Sequence, residues 1–209
     1  MKQVLSLTCL LLAAMCSGVV SAAETAAEQL KYKLARLNSY QASFQQTVTD
    51  ATNKQVQTGE GYLSLKQPAL FRFETISPTP NLLIGDGRTL WHYDATLEEL
   101  KVYDAAKEVD KTPFVLLTSS DAKLWALYEV TGQGETFAIT PKDKNNPVQK
   151  LTLQFSGVDL AKMAVASQDG QTSSFEFIAM QSNVSIDSAQ FKFVAPKGVD
   201  VDIVDLRGK

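Results

Sequence analysis

His92, in TLWHYD, is the sole histidine of the chain and the first residue to ask for chemistry. An imidazole can ligate a metal or relay a proton, but each task needs partners. A zinc site draws on several His, Cys or carboxylate ligands, and a Ser–His or Cys–His nucleophilic pair would have to use this one ring. Flanked by Trp91 and Tyr93, His92 reads as a structural strand residue. Glu98 and Glu99 are adjacent, so on a strand they point to opposite faces and do not converge as an acid and a base. Gly85-x-Gly87 lacks the following helix and glycine spacing of a phosphate cradle, and reads as a hairpin turn. Asn183-Val184-Ser185 has the spacing of a glycosylation sequon, a match common by chance, and is given no role. The chain is therefore expected to have no catalytic, metal-binding or cofactor-binding residues, and to be no enzyme.

The two cysteines, Cys9 and Cys16, fall in MKQVLSLTCLLLAAMCSGVVSAAET. Lys2, an apolar run from Val4 to Met15 and small residues through Ser21-Ala22-Ala23 make this a secretory leader over residues 1–23 rather than a membrane anchor. A lipidation signal wants a small residue before its cysteine, whereas Met15 precedes Cys16 and Cys9 comes too early. Cleavage leaves residues 24–209 as one domain without thiols, with 19 basic and 23 acidic residues. A net negative charge without a polybasic run argues against nucleic acid or an anionic membrane surface as partner.

The elements that must position any site come next. ETAAEQLKYKLARLNSY reads as an amphipathic helix, with Thr25 and Glu28 at capping-box spacing and a stripe of Leu30, Leu34 and Leu37. From Ala42 the period changes to two. GEGYLSLK puts Gly61, Leu63 and Leu65 on one face, and LFRFET sets Phe71 and Phe73 opposite Arg72 and Glu74. NLLIGDGRTLWHYD predicts a hairpin, and ELKVYD, ETFAIT, QKLTLQFS, LAKMAVAS, SSFEFIAM and FKFVAP predict further strands. About ten strands joined mostly by tight turns imply a mainly β (α+β) fold, one strongly curved antiparallel sheet approaching a barrel. TPFVLLTSSDAKLWALY, residues 112–128, interrupts it with two short helical pieces, Thr112 capping the first and Pro113 opening it. Helices so short persist only when their apolar side chains rest on something. The concave side of a curled sheet is the surface available, so a sheet, an apolar hollow and a weakly held cover are expected.

These pieces in this order, above all LNSYQASFQQTVTD, GEGYLSLKQPALFRFE, LLIGDGRTLWHYD, TPFVLL and FKFVAPKGV, resemble the LolA family of periplasmic outer-membrane lipoprotein carriers across roughly residues 30–199. The resemblance implies an incomplete antiparallel β-barrel with a helical lid over a hydrophobic cavity. It implies a soluble periplasmic monomer whose cargo is the acyl chains of outer-membrane lipoproteins. The donor would be the inner-membrane Lol ABC transporter, and the acceptor the outer-membrane receptor LolB, itself a lipoprotein of similar fold. Carried onto this chain, it makes Leu34, Leu37, Phe44, Leu63, Leu65, Phe71 and Phe73 cavity-lining residues, although each would also serve as core in an ordinary β protein. Phe114, Leu117 and Trp125 would belong to the lid. The family commonly has an arginine before the proline, reaching to the lid. Here Gln67 stands in its place, uncharged and shorter, leaving Gln67 as the latch, with Lys66 or Arg72 near enough in sequence to assist. The alternative reading is a periplasmic lipid- or hydrophobe-binding sensor domain of related fold, as in the stress-response regulator RseB.

Overall fold

The computed structural model describes residues 24–108 and 113–208. The expected leader, the expected cap at Thr112 and the side chain of Phe114 lie outside what it describes. The chain opens with α1 (Ala26–Ala35). Its start is fixed by a capping box: the Thr25 side chain accepts from the Glu28 amide at 3.2 Å, and the Glu28 carboxylate accepts from the Thr25 amide at 2.8 Å. These bonds satisfy two of the backbone donors a helix start leaves unpaired. Leu30 and Leu34 are the buried residues of this helix, and Leu37 just beyond it joins the same core.

Six strands follow as an unbroken meander: β1 (Ser39–Thr49), β2 (Gln55–Lys66), β3 (Leu70–Ser77), β4 (Asn81–Gly85), β5 (Thr89–Asp94) and β6 (Glu99–Asp104). Three short helical pieces interrupt: α2 (Ala105–Glu108), a 3-10 turn (Pro113–Leu117) and α3 (Ala122–Trp125). A second meander runs through β7 (Tyr128–Gln133), β8 (Thr136–Pro141), β9 (Val148–Ser156), β10 (Asp159–Ser167) and β11 (Thr172–Ser182). After another 3-10 turn (Ser188–Phe191) the chain ends in β12 (Asp202–Asp205).

All twelve strands form one open sheet, ordered β12-β6-β5-β4-β3-β2-β1-β11-β10-β9-β8-β7. The two meanders meet where β1 pairs antiparallel with β11, and the one parallel pairing joins β12 to β6. Bulges bend the ribbon. Ala179 and Met180 face only Ala42 between β11 and β1, and Ile76 is the extra residue in β3 against β2. The curl brings α1, which precedes the central strand β1, against the edge strand β7. One core then draws on both meanders, with Phe44, Leu65, Phe137, Leu153, Leu160 and Phe177 among its buried side chains. Inside it the Tyr40 hydroxyl donates to the Leu160 carbonyl at 2.5 Å, and burial pushes its phenol pKa up.

This order explains the helical interruption. β6 lies next to one margin of the sheet and β7 forms the other. The connection between them must therefore pass from one side of the sheet to the other, and Val115, Leu117 and Leu124 of it lie over the concave-face residues Leu63, Phe71 and Leu90.

Two expectations need correction. Among the described residues there are twelve strands rather than about ten, and FKFVAP is not one of them. Its alternation mimics a strand, but Phe191 and Phe193 dock on the convex side of β3–β6. There they meet Leu82, Ile84, Trp91 and Tyr93, which the opposite face of the same strands supplies. The hydrogen-bonding margin of β6 is taken instead by β12. Side chains β3 and β2 turn outward hold this tail in place. Lys66 donates to the Ile186 carbonyl at 2.7 Å, and Arg72, ion-paired to Glu74 at 2.8 Å, reaches the Gln190 carbonyl.

Candidate functional site

Alternation on the neighbouring strands β2, β3 and β4 sends Leu63 and Leu65, Phe71 and Phe73, and Leu83 to the concave face in register: Leu63 pairs with Phe73, Leu65 with Phe71, and Phe73 with Leu83. Cross-strand partners share a face, so these five side chains make a continuous apolar wall. Together with Leu117 from the 3-10 turn they enclose a cavity of about 250 Å³. A second cavity of about 320 Å³ adjoins it, between Phe71, Gly85 and Leu90 of the sheet and Val115, Thr118 and Leu124 of the crossover. Phe71 borders both. Its ring lies against Gly85 so closely that a Cβ there would sit 2.3 Å from Cε1. The bare glycine backbone is what seats the partition between the two spaces.

Among the described residues the cover rests on the sheet mainly by apolar contact, and its end is tied by Lys142, whose Nζ donates to the Ala126 carbonyl at 2.8 Å and whose amide donates to the Leu127 carbonyl at 2.9 Å. The Ala69 amide donates to the Thr118 carbonyl at 3.0 Å, and the Gln67 side-chain amide donates to the Leu117 carbonyl at a long 3.4 Å. Asp121 caps α3 by accepting from the Lys123 amide. Trp125 is buried, donates through Nε1 to the Ser119 carbonyl at 2.8 Å and has Lys31 of α1 5.0 Å from its ring centroid.

The residues singled out from sequence therefore divide. Leu63, Leu65, Phe71, Phe73 and Leu117 are brought together around one space, with Gln67 beside Leu117. Phe44 stands one layer behind, stacked on Phe73 with centroids 4.8 Å apart and planes 14° from parallel. Leu34, Leu37 and Trp125 are buried in the main core and border neither cavity. Lys66 and Arg72 turn to the C-terminal tail rather than the cover.

Sequence reasoning missed Leu83, Phe175, Asn81 and His92 in the wall of the first cavity, and Val115 and Leu124 in the second. The signal for the β4 pair was present: Asn81, Leu83 and Gly85 alternate in NLLIG, and the register against β3 sends them inward. Asn81 Nδ2 and His92 Nε2 lie 2.8 Å apart. Burial lowers the His92 pKa, and the Lys101 cation lowers it further, while Asp94 and Glu99 pull the other way. The ring is thus held toward its neutral form. Among the described residues no group of three or more His, Cys, Asp or Glu gathers as a metal site. Nor is any described helix long and apolar enough to cross a membrane.

Comparison with known proteins gives a consistent result. Residues 35–194 match the family described as outer membrane lipoprotein carrier protein LolA. The chain is 39% identical over 203 residues to an outer-membrane lipoprotein carrier protein of Pectobacterium carotovorum subsp. carotovorum (strain PC1), covering 97% of this chain and 98% of that one. It is 38% identical over 205 residues to a protein of the same description from Edwardsiella ictaluri (strain 93-146), again covering 97% and 98%. Among solved structures, an uncharacterized conserved protein from Thermus thermophilus superposes with a TM-score of 0.50 at 13% identity, over 84% of this chain and 98% of that one. That likeness shows a shared fold.

Proposed function

The chain belongs to the LolA family of outer-membrane lipoprotein carrier proteins, and from that premise we propose that it shelters the acyl chains of outer-membrane lipoproteins while they cross the periplasm. In this reading residues 1–23 are removed on export. The inner-membrane Lol ABC transporter hands over the cargo, and the receptor LolB in the outer membrane accepts it.

The observation that carries the reading is the pair of adjoining, mainly apolar cavities beneath a cover that meets the sheet chiefly through apolar side chains, with Gln67 and Ala69 bonded to its 3-10 turn. Each CH₂ withdrawn from water is worth ~0.8 kcal/mol, so an acyl chain in water is strongly driven into a membrane or aggregate. A carrier must supply an equivalent environment without exposing it when empty, because a large bare apolar patch promotes association. Leu63, Leu65, Phe71 and Phe73 are the wall of that environment, with Leu34, Leu37 and Phe44 packed behind it. Leu117, Phe114 and Trp125 belong to the cover, and Gln67 is its latch.

Empty, the protein lays Leu117, Val115 and Leu124 over the hollow. Loaded, acyl chains take over their contacts with the sheet. Because one apolar surface replaces another, the exchange is nearly balanced, and cargo is surrendered to a receptor with modestly higher affinity. A ligand shifts such an equilibrium only by its differential affinity for the open and closed states.

The test is capture from periplasmic extract on the immobilised protein. Mature acylated lipoproteins are expected to be retained, and the same proteins expressed without their lipidated cysteine are expected to pass through. Equal retention of both forms would refute the acyl-chain mechanism.

A further inference from the structure

The larger part of the first cavity's wall is apolar, yet Asn81 and His92 stand in it as its two polar side chains. Burying polar groups in an apolar wall costs stability unless they are partnered, and here they partner each other at 2.8 Å. An amide and an imidazole together hold more N–H groups than one mutual bond consumes. If Asn81 donates to Nε2, the neutral ring carries its proton on Nδ1 and the amide keeps a second hydrogen. If the amide is turned the other way, both of its hydrogens remain. Either arrangement leaves donors at the cavity wall.

The position of the pair along the sheet gives it direction. Phe71, Gly85 and Leu90 form the concave row beside the cover. His92 lies one row further, in register with Leu83 and Lys101, and Asn81 one row beyond, in register with Asp94, which pairs in turn with Glu99. Lys101 and Glu99 are ion-paired at 2.7 Å. The concave face therefore grades from apolar under the cover, through the Asn81–His92 pair, to charged. Gly85 lies four residue steps along β4 from Asn81, about 13 Å of strand.

We propose that Asn81 and His92 form a polar anchor for the ester or amide carbonyl at the head of an acyl chain, with the hydrocarbon running from it toward Phe71 and the cover. This deepens the carrier reading and rests on it. The chemistry favours a neutral acceptor. The donors are uncharged, and the nearby cation, Lys101, is already engaged by Glu99. A carbonyl meets such donors without the desolvation cost a carboxylate brings. In this arrangement the pair sets how deep the chain sits, and distinguishes an acylated head group from plain hydrocarbon.

The experiment compares two probes on the full mature chain: a synthetic S-(dipalmitoylglyceryl)cysteine peptide, and its dihexadecyl ether analogue, which has the same hydrocarbon but no ester carbonyls. Affinities are read by isothermal titration calorimetry for the wild type, Asn81→Leu/His92→Leu and His92→Gln, with circular dichroism to check the fold. Wild type is expected to prefer the ester by about 5-fold. The double variant is expected to bind both probes within 2-fold of each other while keeping its ether affinity, and His92→Gln to retain part of the preference. No ester preference in wild type overturns the anchor, as does a preference that survives in the double variant. Equal loss of both probes in a folded double variant makes the pair mere wall and also overturns it. Tighter His92-dependent binding of palmitate anion than of the ester assigns the pair to carboxylates and rejects the carbonyl. Failure of wild type to bind either lipid overturns the carrier reading itself, and the anchor with it. Should the double variant not fold, the infrared band of ¹³C-labelled ester carbonyls on wild type decides. A shift to lower frequency on binding supports the anchor, and an alkane-like position refutes it.

Discussion

Gln67 offers a prediction whose sign is set by the role of the cover. Its side-chain amide reaches the Leu117 carbonyl at 3.4 Å, the long end of hydrogen-bonding distance. Leu116 and Leu117 are 0% and 2% exposed, and burying each against water is worth about 1.5–3 kcal/mol. That apolar contribution largely cancels when an acyl chain takes the vacated place. What remains to bias the equilibrium is the polar contacts of the cover, among them the hydrogen bonds from Gln67 and Ala69. Gln67→Ala removes one of them, a weak neutral bond of about 0.5–1 kcal/mol. Where the closed form dominates, apparent affinity scales with the open fraction, so acyl-chain binding should tighten by about 2- to 5-fold. Gln67→Arg should act oppositely. A charge-assisted bond to the same carbonyl is worth about 1.5–3 kcal/mol, so closure gains roughly 1–2 kcal/mol over glutamine and binding weakens by about 5- to 30-fold. Titration of each variant with the dipalmitoylglyceryl peptide, followed by Trp125 emission in a Trp91→Phe background, measures both. Weaker binding by Gln67→Ala, or both variants moving the same way, would refute the latch, because Gln67 would then be contacting cargo.

Further expectations concern the scaffold. A side chain on Gly61 would place its Cβ 1.9 Å from the Glu74 carbonyl oxygen and 2.6 Å from Phe44 Cζ. Since backbone cannot yield as a side-chain tip does, Gly61→Val should cost about 3 kcal/mol, and an unchanged urea midpoint would show that β2 and β3 have room to part. His92 makes stability depend on pH. Its folded pKa lies below the unfolded value near 6.5, so the unfolded chain binds the extra proton, and stability falls as pH drops through 6.5 until the folded pKa is passed. Thermal midpoints compared between wild type and His92→Gln from pH 7.5 to 5 should converge on acidification, and parallel curves would refute the assignment.

Strand and helix types were legible where one side of an element is dry and the other wet. Gly61, Leu63 and Leu65 alternate with Tyr62, Ser64 and Lys66, and the concave set followed directly. From β4 onward that contrast disappears: Ile84, Tyr93 and Leu100 are buried on the convex side as well. Alternation then no longer tells inside from outside. This is why the tail around Phe191 mimics a strand, and why alternation alone does not place Asn81 and His92 on the hollow. The parallel pairing of β12 with β6 depends on contacts about a hundred residues apart, which no local periodicity encodes. Leu34, Leu37 and Trp125 show the converse limit: apolar spacing predicts burial, but not which buried residues border empty space.

The connectivity of the sheet has a consequence for loading. Residues 105–127 join the two meanders, from β6 beside one margin to β7 at the other, in a ribbon whose halves meet elsewhere along the β1–β11 seam. On the carrier reading, such a connection is expected to act as a drawstring across the mouth of a pouch. A guest that wedges the margins apart is then expected to pull it taut, and one that departs to let it fall slack. On the carrier reading, aperture and closure are then expected to move together, with the length of this bridge limiting how stout a guest the pouch admits.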